Sequence, residues 1–494
     1  MLHKVKHKGI ALLVLAAAQF MVVLDATITN VALPAIRDAL KFASQADLQW
    51  VVTMYALTFG GFLLLGGRLA DLYGRRRIFL AGTVLFATAS LFAGFAQDPT
   101  QIIILRGIQG LGGALLSPSA LSLVLTIFSE TKERNRALGV WSMVAAGGGA
   151  VGLLLGGILT QYVDWRWIFF INVPIAILVA IMTFRFVPGG KPEKTESVDV
   201  VGAFSVTGSL IALVFALAKA AENGWSASVT ITSFVVSAVL MAAFIINELR
   251  VKHPLINLAS FRRRNVTGGA LMMLLMPASM FGFFFYISIY LQQILGYTPT
   301  QTGLADLPFT ATILVVAGVL SRFATRVNPK VILSIAPLFA AAGLLFFARM
   351  PVHATYLTDI LPGMILMSTG MAAVFVMATI AATNGIPHQL SGFVSGLLNT
   401  SQQIGGAIGL AVLTVISTAA TKSQLADLKA IPTQGVVNDA LVHGFHQGFL
   451  AATIFAVLAS GIAIFVFKTH KATATEELGE PVNEAEALAA IPGA

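Results

Sequence analysis

The stretch IALLVLAAAQFMVVLDATITNVALP, residues 10–34, is apolar over a length that can cross a lipid bilayer, yet it contains the acid Asp25. By membrane-insertion scales, an aspartate near the middle of a spanning helix costs about 2.5 to 3.5 kcal/mol. A chain that keeps such a residue usually directs it at a partner or a cavity inside a helix bundle. The stretch therefore predicts a transmembrane helix whose acid faces inward.

Composition extends this prediction to the whole chain. Of its 494 residues, 57% are hydrophobic and 11% are charged, whereas about a quarter of the residues in a soluble domain are charged. Apolar runs of spanning length predict an all-α integral membrane protein with fourteen spans. These lie at 11–33, 48–70, 77–96, 101–128, 138–160, 165–187, 198–218, 229–249, 265–295, 302–323, 330–349, 355–383, 390–419 and 445–468.

The fourteen spans fall into groups of six, two and six. A polar segment at 187–199 follows the sixth span, and a basic loop at 247–265 follows the eighth. This layout predicts a duplicated six-helix unit with two helices inserted between the copies. The expected parts are a six-helix bundle at 1–187, a linker with two inserted helices at 188–264, a second six-helix bundle at 265–468 and a disordered cytoplasmic tail at 469–494.

The distribution of basic residues predicts the orientation. With both termini in the cytoplasm, 23 Lys and Arg fall on the cytoplasmic side, 7 fall outside and Arg106 lies within a span. The loop at 382–392 is an exception because it has neither residue, so the prediction rests on the total. The net charge of +9 is scattered over short loops, which favours anionic lipid headgroups as partners over nucleic acid. We expect a multi-pass protein of the cell membrane.

Absent motifs limit the possible chemistry. The chain has no cysteine, which excludes a disulfide, a thiolate metal site and a thiol nucleophile. It also lacks the phosphate-binding GxxxxGK[ST] loop, the HExxH zinc motif and a nucleophile elbow. We therefore expect no enzyme activity, no cofactor and no metal. A membrane-embedded enzyme or an ion channel is therefore the least favoured of the three functions that we consider.

A second intramembrane charge lies in ILRGIQGLGGALLSP, residues 104–118. Arg106 and Gln109 are one helical turn apart and share a helix face. Asp25 is the natural partner of Arg106, and such a pair can bind and release a proton. The alternative is that Arg106 extends its charge to the outer membrane surface.

Two glycine-containing motifs predict close turns and close packing. In GRLADLYGRRR, residues 67–77, Gly67 and Gly74 permit a tight turn, and Asp71 precedes a run of arginines that includes Arg75 and Arg77. On physical grounds alone this loop is a positive anchor at the cytoplasmic surface. In AAGGGAVGLLLGGIL, residues 145–159, small residues spaced one turn apart allow two helices to touch. These small residues are Gly152, Gly156 and Gly157.

Polar residues in the second half complete the candidate set. SGFVSGLLNTSQQIGGAIG, residues 391–409, has a polar face with Asn399 and Gln402. In GYTPTQTGLADLPFT, residues 296–310, a helix that begins at Thr302 would place Asp306 about one turn inside. Asp306 is then either a solvated acid near a positive helix start or a cavity group that attracts cations.

Six of these features occur in the same order in the fourteen-span drug:proton antiporters of the major facilitator superfamily: LDATITNVALP, GRLADLYGRRR, LRGIQGLGGALLSP, the glycines of the fifth span, DWRWIFFINVPI (164–175) and NTSQQIGGAIG. Over nearly its whole length the chain resembles that family, which more often has an apolar residue at the position of Asp306. The resemblance implies two six-helix bundles that rock about a central cavity. It implies export of hydrophobic or cationic compounds driven by protons, and we expect a functional monomer. Asp25, Arg106 and Gln109 are then the proton-coupling residues. The expected cytoplasmic gate is Gly67, Asp71, Gly74, Arg75 and Arg77, and the expected substrate cavity includes Asn30, Asp306, Asn399 and Gln402.

One departure from the family pattern concerns the fifth span. These antiporters usually have Gly-Pro-x-x-Gly-Gly there, and this chain has GLLLGG at 152–157, with Leu153 in place of the proline. A proline would kink the helix and remove a hydrogen-bond donor. The departure leaves the coupling mode and the substrate class open. Export of lipids or lipid-like molecules, or of a specific metabolite, is the alternative, and the Met- and Phe-rich stretch at 271–290 would permit lipid export.

Overall fold

The computed structural model describes residues 8–128, 130–189, 199–251, 254–256, 258–323, 327–384, 388–426 and 433–467. Within these ranges the chain consists of helices joined by short turns, and no strand occurs in them. The predicted disordered tail at 469–494 lies outside the described residues. So do residues 190–198 of the predicted linker and residues 385–387 of the loop that lacks basic residues.

Eight helices form the first part of the chain. They are α1 (Lys8–Leu40), α2 (Gln45–Leu48), α3 (Trp50–Tyr73), α4 (Arg75–Gly94), α5 (Pro99–Ile127), α6 (Thr131–Tyr162), α7 (Trp167–Phe170) and α8 (Asn172–Phe186). Local sequence explains where several begin. Asp98 caps α5 by accepting a hydrogen bond from the Gln101 backbone N–H, and a proline follows it at the first helical position. Gly74 has a φ of 97°, which lets the chain reverse between α3 and α4.

Two helices, α9 (Val200–Asn223) and α10 (Ser228–Arg250), follow as an antiparallel pair. Ser209 donates to the Ser237 carbonyl oxygen at 2.8 Å, and Ser237 donates to the Ser209 carbonyl oxygen at 2.9 Å. Thr207 fills the space beside Gly61 of α3, where a built Cβ would lie 2.2 Å from the threonine hydroxyl. The pair therefore packs against the first part of the chain through α3.

Seven further helices form the last part of the chain. They are α11 (Arg264–Ile289), α12 (Pro299–Ala305), α13 (Leu307–Phe323), α14 (Pro329–Phe347), α15 (Leu361–Thr383), α16 (His388–Ala426) and α17 (Gln434–Val466). Aromatic side chains fill the space between them. The ring of Phe283 stacks on Phe309 at 5.3 Å between centroids and lies 5.0 Å from Phe347, so α11, α13 and α14 share one packed interior.

Thirteen helical segments of the described residues are long and apolar enough to cross a membrane. The remaining predicted span, 138–160, lies within α6, which is not one of those thirteen but has 32 residues. At 1.5 Å per residue that length also suffices to cross a bilayer. The prediction of an all-helical, multi-pass membrane fold is confirmed.

The long helices alternate in direction, which gives the molecule two ends. We call the end that bears the turn between α3 and α4 the Gly74 end. The start of α1 and the last described residue, Phe467, lie there too. The opposite end carries the end of α6 and the start of α12, and we call it the Gly157 end.

Candidate functional site

A buried polar network surrounds Asp25 in the first part of the chain. Arg106 Nη1 donates to Asp25 Oδ2 at 2.5 Å. Gln109 Nε2 and Asn172 Nδ2 both donate to Asp25 Oδ1, at 2.7 and 2.9 Å. Each of the four side chains is at most 1% exposed. The carboxylate is thus held by three donors from α5 and α8, and its charge is balanced by one guanidinium.

A second set of contacts fixes the orientation of these donors. Arg106 Nε donates to the Val51 carbonyl oxygen at 2.9 Å, and the guanidinium lies over the ring of Tyr55 at 4.3 Å. Asn172 Nδ2 also donates to the hydroxyl of Ser90 at 3.0 Å, and this hydroxyl donates to the Phe169 carbonyl oxygen at 2.8 Å. Residues from α1, α3, α4, α5, α7 and α8 therefore converge on one carboxylate.

The structure brings together the three residues that the sequence grouped, Asp25, Arg106 and Gln109. It adds Asn172 and Tyr55, which the sequence analysis did not single out. Asn172 had a signal, because it is a polar residue inside the apolar run IFFINVPIAI at 168–177. Tyr55 had none, since its contact with Arg106 depends on how α3 is rotated against α5.

A cavity of about 950 Å³ lies between the two parts of the chain and reaches the Gly74 end. Arg106 and Tyr55 line its deep part, and Asp71 lines it near the Gly74 end. Asp25 does not line it and is fully buried behind Arg106. Of the two possibilities that the sequence leaves for Asp25, a partner or a cavity, the structure shows a partner, and the Arg106 guanidinium lies between the acid and the cavity.

The cavity wall combines amides with aromatic rings. Three of the four residues predicted to line it do so, namely Asn30, Asn399 and Gln402. Gln19, Gln403, Phe59, Phe281, Phe284, Phe393 and Trp141 line it as well. Among the lining residues that the structure describes, Asp71 is the one acid, and Arg75 Nε donates to its Oδ1 at 3.2 Å.

The five predicted gate residues lie at the Gly74 end. Gly67 and Asp71 line the cavity there, and Gly74 makes the turn. Arg75 donates to Asp71 and also to the hydroxyl of Thr126 at the end of α5. Arg77 is exposed. The turn is therefore tied through Arg75 to α5, the helix that carries Arg106.

The two parts of the chain meet closely at the Gly157 end. Ser288 Oγ donates to the Asn30 carbonyl oxygen at 2.8 Å, and Gln292 Nε2 donates to the Val31 carbonyl oxygen at 2.9 Å. These contacts join α1 to α11 and to the π-helical turn Tyr290–Ile294 that continues α11. The Thr300 backbone N–H donates to Gln161 Oε1 at 3.1 Å and joins α12 to α6. The cavity is closed at this end.

The three glycines predicted for helix packing lie on two different contacts. A Cβ built at Gly152 or Gly156 would lie 2.0 Å from Thr27 Oγ1 or 2.7 Å from the Ile28 carbonyl oxygen, so both pack α6 against α1. A Cβ at Gly157 would lie 2.5 Å from the Pro299 carbonyl oxygen, across the interface to α12. Gly157 therefore belongs to the contacts of α1 and α6 with α11 and α12 that close the cavity at this end, which we call the seal.

Leu153, at the position where the family usually has proline, also lies at this interface. It is 1% exposed, and a Cβ built at Gly303 of α12 would lie 2.3 Å from its carbonyl oxygen. α6 is one continuous helix from Thr131 to Tyr162. The leucine thus leaves the helix unbroken at the point where it touches the other part of the chain.

Asp306 does not lie where the sequence placed it. Its helix begins earlier than expected, with Thr298 as the N-cap and a capping box to Gln301, so Thr302 is not the cap. Asp306 joins α12 to α13 and is 1% exposed, which contradicts the solvated interpretation. It is also not among the residues that line the cavity.

The chain resembles known proteins in sequence and in fold. The family model of the Major Facilitator Superfamily matches residues 15–410. The chain is 38% identical to the puromycin resistance protein pur8 of Streptomyces alboniger, over 95% of this chain and 93% of that protein. It is 36% identical to the cephamycin export protein CmcT of Amycolatopsis lactamdurans, over 85% and 87%. A bacterial homologue of the human lysosomal transporter Spinster has the same fold, with a TM-score of 0.65, 16% identity and coverage of 92% and 96%.

Proposed function

The chain belongs to the major facilitator superfamily, and we propose that it exports antibiotics or similar drug-like compounds across the cell membrane in exchange for protons. Two relatives that match most of its length are named for resistance to one antibiotic and export of another. A cavity of about 950 Å³ has the size of a site for one such compound. A membrane-embedded enzyme finds no support in a family of transporters.

The observation that supports proton coupling is that Arg106 both binds Asp25 and lines the cavity. Its guanidinium holds the buried Asp25 carboxylate and at the same time lines the cavity. Protonation of Asp25 removes the negative charge that holds Arg106. The guanidinium can then form other contacts, including contacts with a compound bound in the cavity. By linkage, a compound that engages Arg106 changes the affinity of Asp25 for a proton by the same factor.

The orientation follows from the distribution of basic residues. We place the Gly74 end and both termini in the cytoplasm. In this arrangement the cavity reaches the cytoplasmic side and the Gly157 end is closed to the outside. Export then requires the contacts at the Gly157 end to separate while the Gly74 end closes, which is the rocking of two bundles implied by the family.

The cavity wall favours uncharged compounds with rings and with carbonyl, hydroxyl or amide groups. Amides such as Asn30 and Asn399 can donate to and accept from such groups, and aromatic rings can stack on them. The acid of the wall, Asp71, is already bonded to Arg75. The Met- and Phe-rich stretch contributes Met280, Phe281 and Phe284 to the cavity wall, whereas its Met272, Met273 and Met276 are buried. Lipid export therefore stays the alternative.

The test is uptake of puromycin into everted membrane vesicles whose interior is made acidic. We expect uphill uptake by the unmodified chain and loss of uphill uptake in Asp25→Asn, which keeps the side-chain size but cannot cycle a proton. Asp38→Asn is the matched control, since Asp38 lies on the same helix and its carboxylate is exposed. Uptake of a fluorescent phospholipid instead of puromycin would favour the lipid alternative, and full activity of Asp25→Asn would contradict the coupling role.

A further inference from the structure

Asp306 is a buried acid that the proposed coupling network does not use. Its carboxyl oxygen Oδ1 has no hydrogen-bond partner, and the side chain is 1% exposed. Among the described residues, none of the ion pairs includes Asp306. A charged carboxylate is very unfavourable in such surroundings, whereas a protonated one is tolerated. In this arrangement of helices Asp306 is therefore neutral.

The titratable groups around Asp306 are tyrosines. Tyr356, in the turn before α15, lies near Asp306 and Tyr297, and its hydroxyl donates to the neighbouring Ala305 carbonyl oxygen at 2.6 Å. From α6, the groups at the contact with α12 are the backbone of Leu153 and of Gly157. Neither Tyr356 nor this part of α6 supplies a charge that could replace water around an ionised Asp306. Helix α15, which packs against α13, has no charged residue in its sequence. At the end of α1, Arg37 and Asp38 pair with each other.

The position of Asp306 connects its charge to the seal at the Gly157 end. Gly303, which abuts the Leu153 carbonyl oxygen of α6, precedes Asp306 by three residues, so the two lie about one turn apart on the same side of the chain. Separation of α12 from α6 would open space beside Asp306 and admit water. Hydration would then make the ionised form acceptable.

We propose that Asp306 is a second proton-binding group that takes up a proton from the outer solution as the Gly157 end closes and returns it to the outer solution as that end opens. This proton crosses no barrier, so it is separate from the protons exchanged for substrate. It makes closure of the outer end depend on the outer pH: acid favours the closed form, and alkali favours the open form. The inference rests on the proposed function only for its orientation, with the Gly157 end outside.

The experiment measures the closure of the Gly157 end directly. Because the chain has no native cysteine, spin labels can be attached specifically to Tyr162→Cys on α6 and Leu304→Cys on α12, both of which are exposed. The distance between the labels is recorded in lipid nanodiscs from pH 5 to pH 8, without substrate or gradient. Since one proton is linked to closure, the ratio of closed to open molecules should fall by up to about tenfold for each pH unit.

The variant and its control are compared in the Asp25→Asn background, in which the proposed coupling acid cannot titrate. Asp306→Asn mimics the neutral acid and should remain closed across the pH range. Asp164→Asn, which changes an exposed acid at the same end, should keep the pH dependence. Closure that does not change with pH, or whose pH dependence survives in Asp306→Asn or disappears in Asp164→Asn, would overturn the proposal. Because no transport is measured, failure of proton-driven export would leave this test valid.

Discussion

Among single residues, Arg106 is where the buried acid and the cavity meet. Its Nη1 is bonded to Asp25 and Gln109, its Nε is bonded to the Val51 carbonyl oxygen, and its plane lies over Tyr55. A guanidinium can make all these contacts at once, whereas an ammonium group is a compact charge without a plane. The geometry therefore requires arginine and not merely a positive charge.

We predict that Arg106→Lys inserts into the membrane but loses at least about tenfold of its proton-driven puromycin uptake. The lysine keeps the charge that Asp25 requires, which limits the destabilisation that follows when a buried pair is broken. It loses the bond to Val51 and the stacking on Tyr55. Uptake into everted vesicles, normalised to the amount of protein in the membrane, measures the effect. Wild-type uptake would show that charge alone is sufficient.

A second prediction concerns Asn172, which donates to Asp25 Oδ1. In Asn172→Ala the Asp25 carboxylate loses one of its three donors and is held less firmly against Arg106. A hydrogen bond to a charged group contributes about 1.5 to 3 kcal/mol, so we expect at least about a tenfold loss of proton-driven puromycin uptake, normalised to the amount of protein in the membrane. Ser90→Ala, which removes a contact of Asn172 but none of Asp25, should lose less, and equal losses would contradict a role of this donor.

The sequence could predict the central pair but not its surroundings. Asp25 and Arg106 are charges within apolar runs, and burial in a membrane leaves such charges few partners other than each other. The contact of Tyr55 with the guanidinium depends instead on the rotation of α3, which no local pattern encodes. The same limit applies to the cavity, since Asp25 itself turned out to lie behind Arg106.

Among the helices, α6 makes two kinds of contact: it packs against α1 within the first part of the chain, and it packs against α12 of the last part at the seal. Gly157 faces the Pro299 carbonyl oxygen across the seal, whereas a Cβ at Gly149 of the same helix would meet nothing within 4 Å. We predict that Gly157→Ala lowers puromycin uptake several-fold because the methyl group prevents full closure of the Gly157 end. Gly149→Ala should transport normally. The spin-label distance across α6 and α12 should lengthen in Gly157→Ala alone, and equal behaviour of the two variants would contradict the seal.

The turn between α3 and α4 gives a further prediction. Asp71 accepts from Arg75, which in turn contacts Thr126 of α5. Asp71→Asn weakens this connection at the mouth of the cavity without changing the deep wall. We expect slower exchange between the two open forms, and therefore slower transport, with nearly unchanged puromycin binding. Equal losses in equilibrium binding and in transport rate would count against a gating role.

The start of α12 shows how a helix boundary can be missed. An apolar scan begins at Thr302 because the preceding residues are polar, whereas the true start is the Thr298-Pro299 pair, in which a capping threonine precedes a proline at the first helical position. The capping-box spacing to Gln301 was readable from the sequence. Because of this four-residue error, the sequence analysis placed Asp306 in the first turn of a helix, where an acid can be solvated. In the structure Asp306 lies at the end of a short helix and is buried.

For the whole molecule, we expect the cavity between the two parts to determine which compounds are transported. We predict that a neutral ring compound such as chloramphenicol competes with puromycin better than the permanent cation ethidium does. Asn399→Asp places an acid on the cavity wall and should raise ethidium export several-fold, because a nearby carboxylate attracts cations. Asn399→Gln is the control of size and polarity. Equal competition by both compounds, with no gain in Asn399→Asp, would show that the wall does not select by charge.

The layout of spans was readable from hydropathy, and the cavity was not. Apolar length fixes where helices cross a membrane because every backbone polar group must be satisfied there within the helix. Which residues line the space between the two parts depends on how those parts are docked. Asn399 and Gln402 were expected there from the polar face of their helix, and Asn30 only from the family resemblance. The division at 187 and 265 into bundles and inserted helices stays a prediction.

Asn30 contributes to two regions with different parts of the same residue. Its side chain lines the cavity, and its carbonyl oxygen accepts the bond from Ser288 that helps to close the Gly157 end. Since every residue type carries that carbonyl, we expect exchanges at position 30 to change which compounds the cavity binds and to leave the closing bond in place. New substrate preferences could therefore arise at this position without loss of closure. Ser288 donates from its side chain, so most exchanges there would remove the bond.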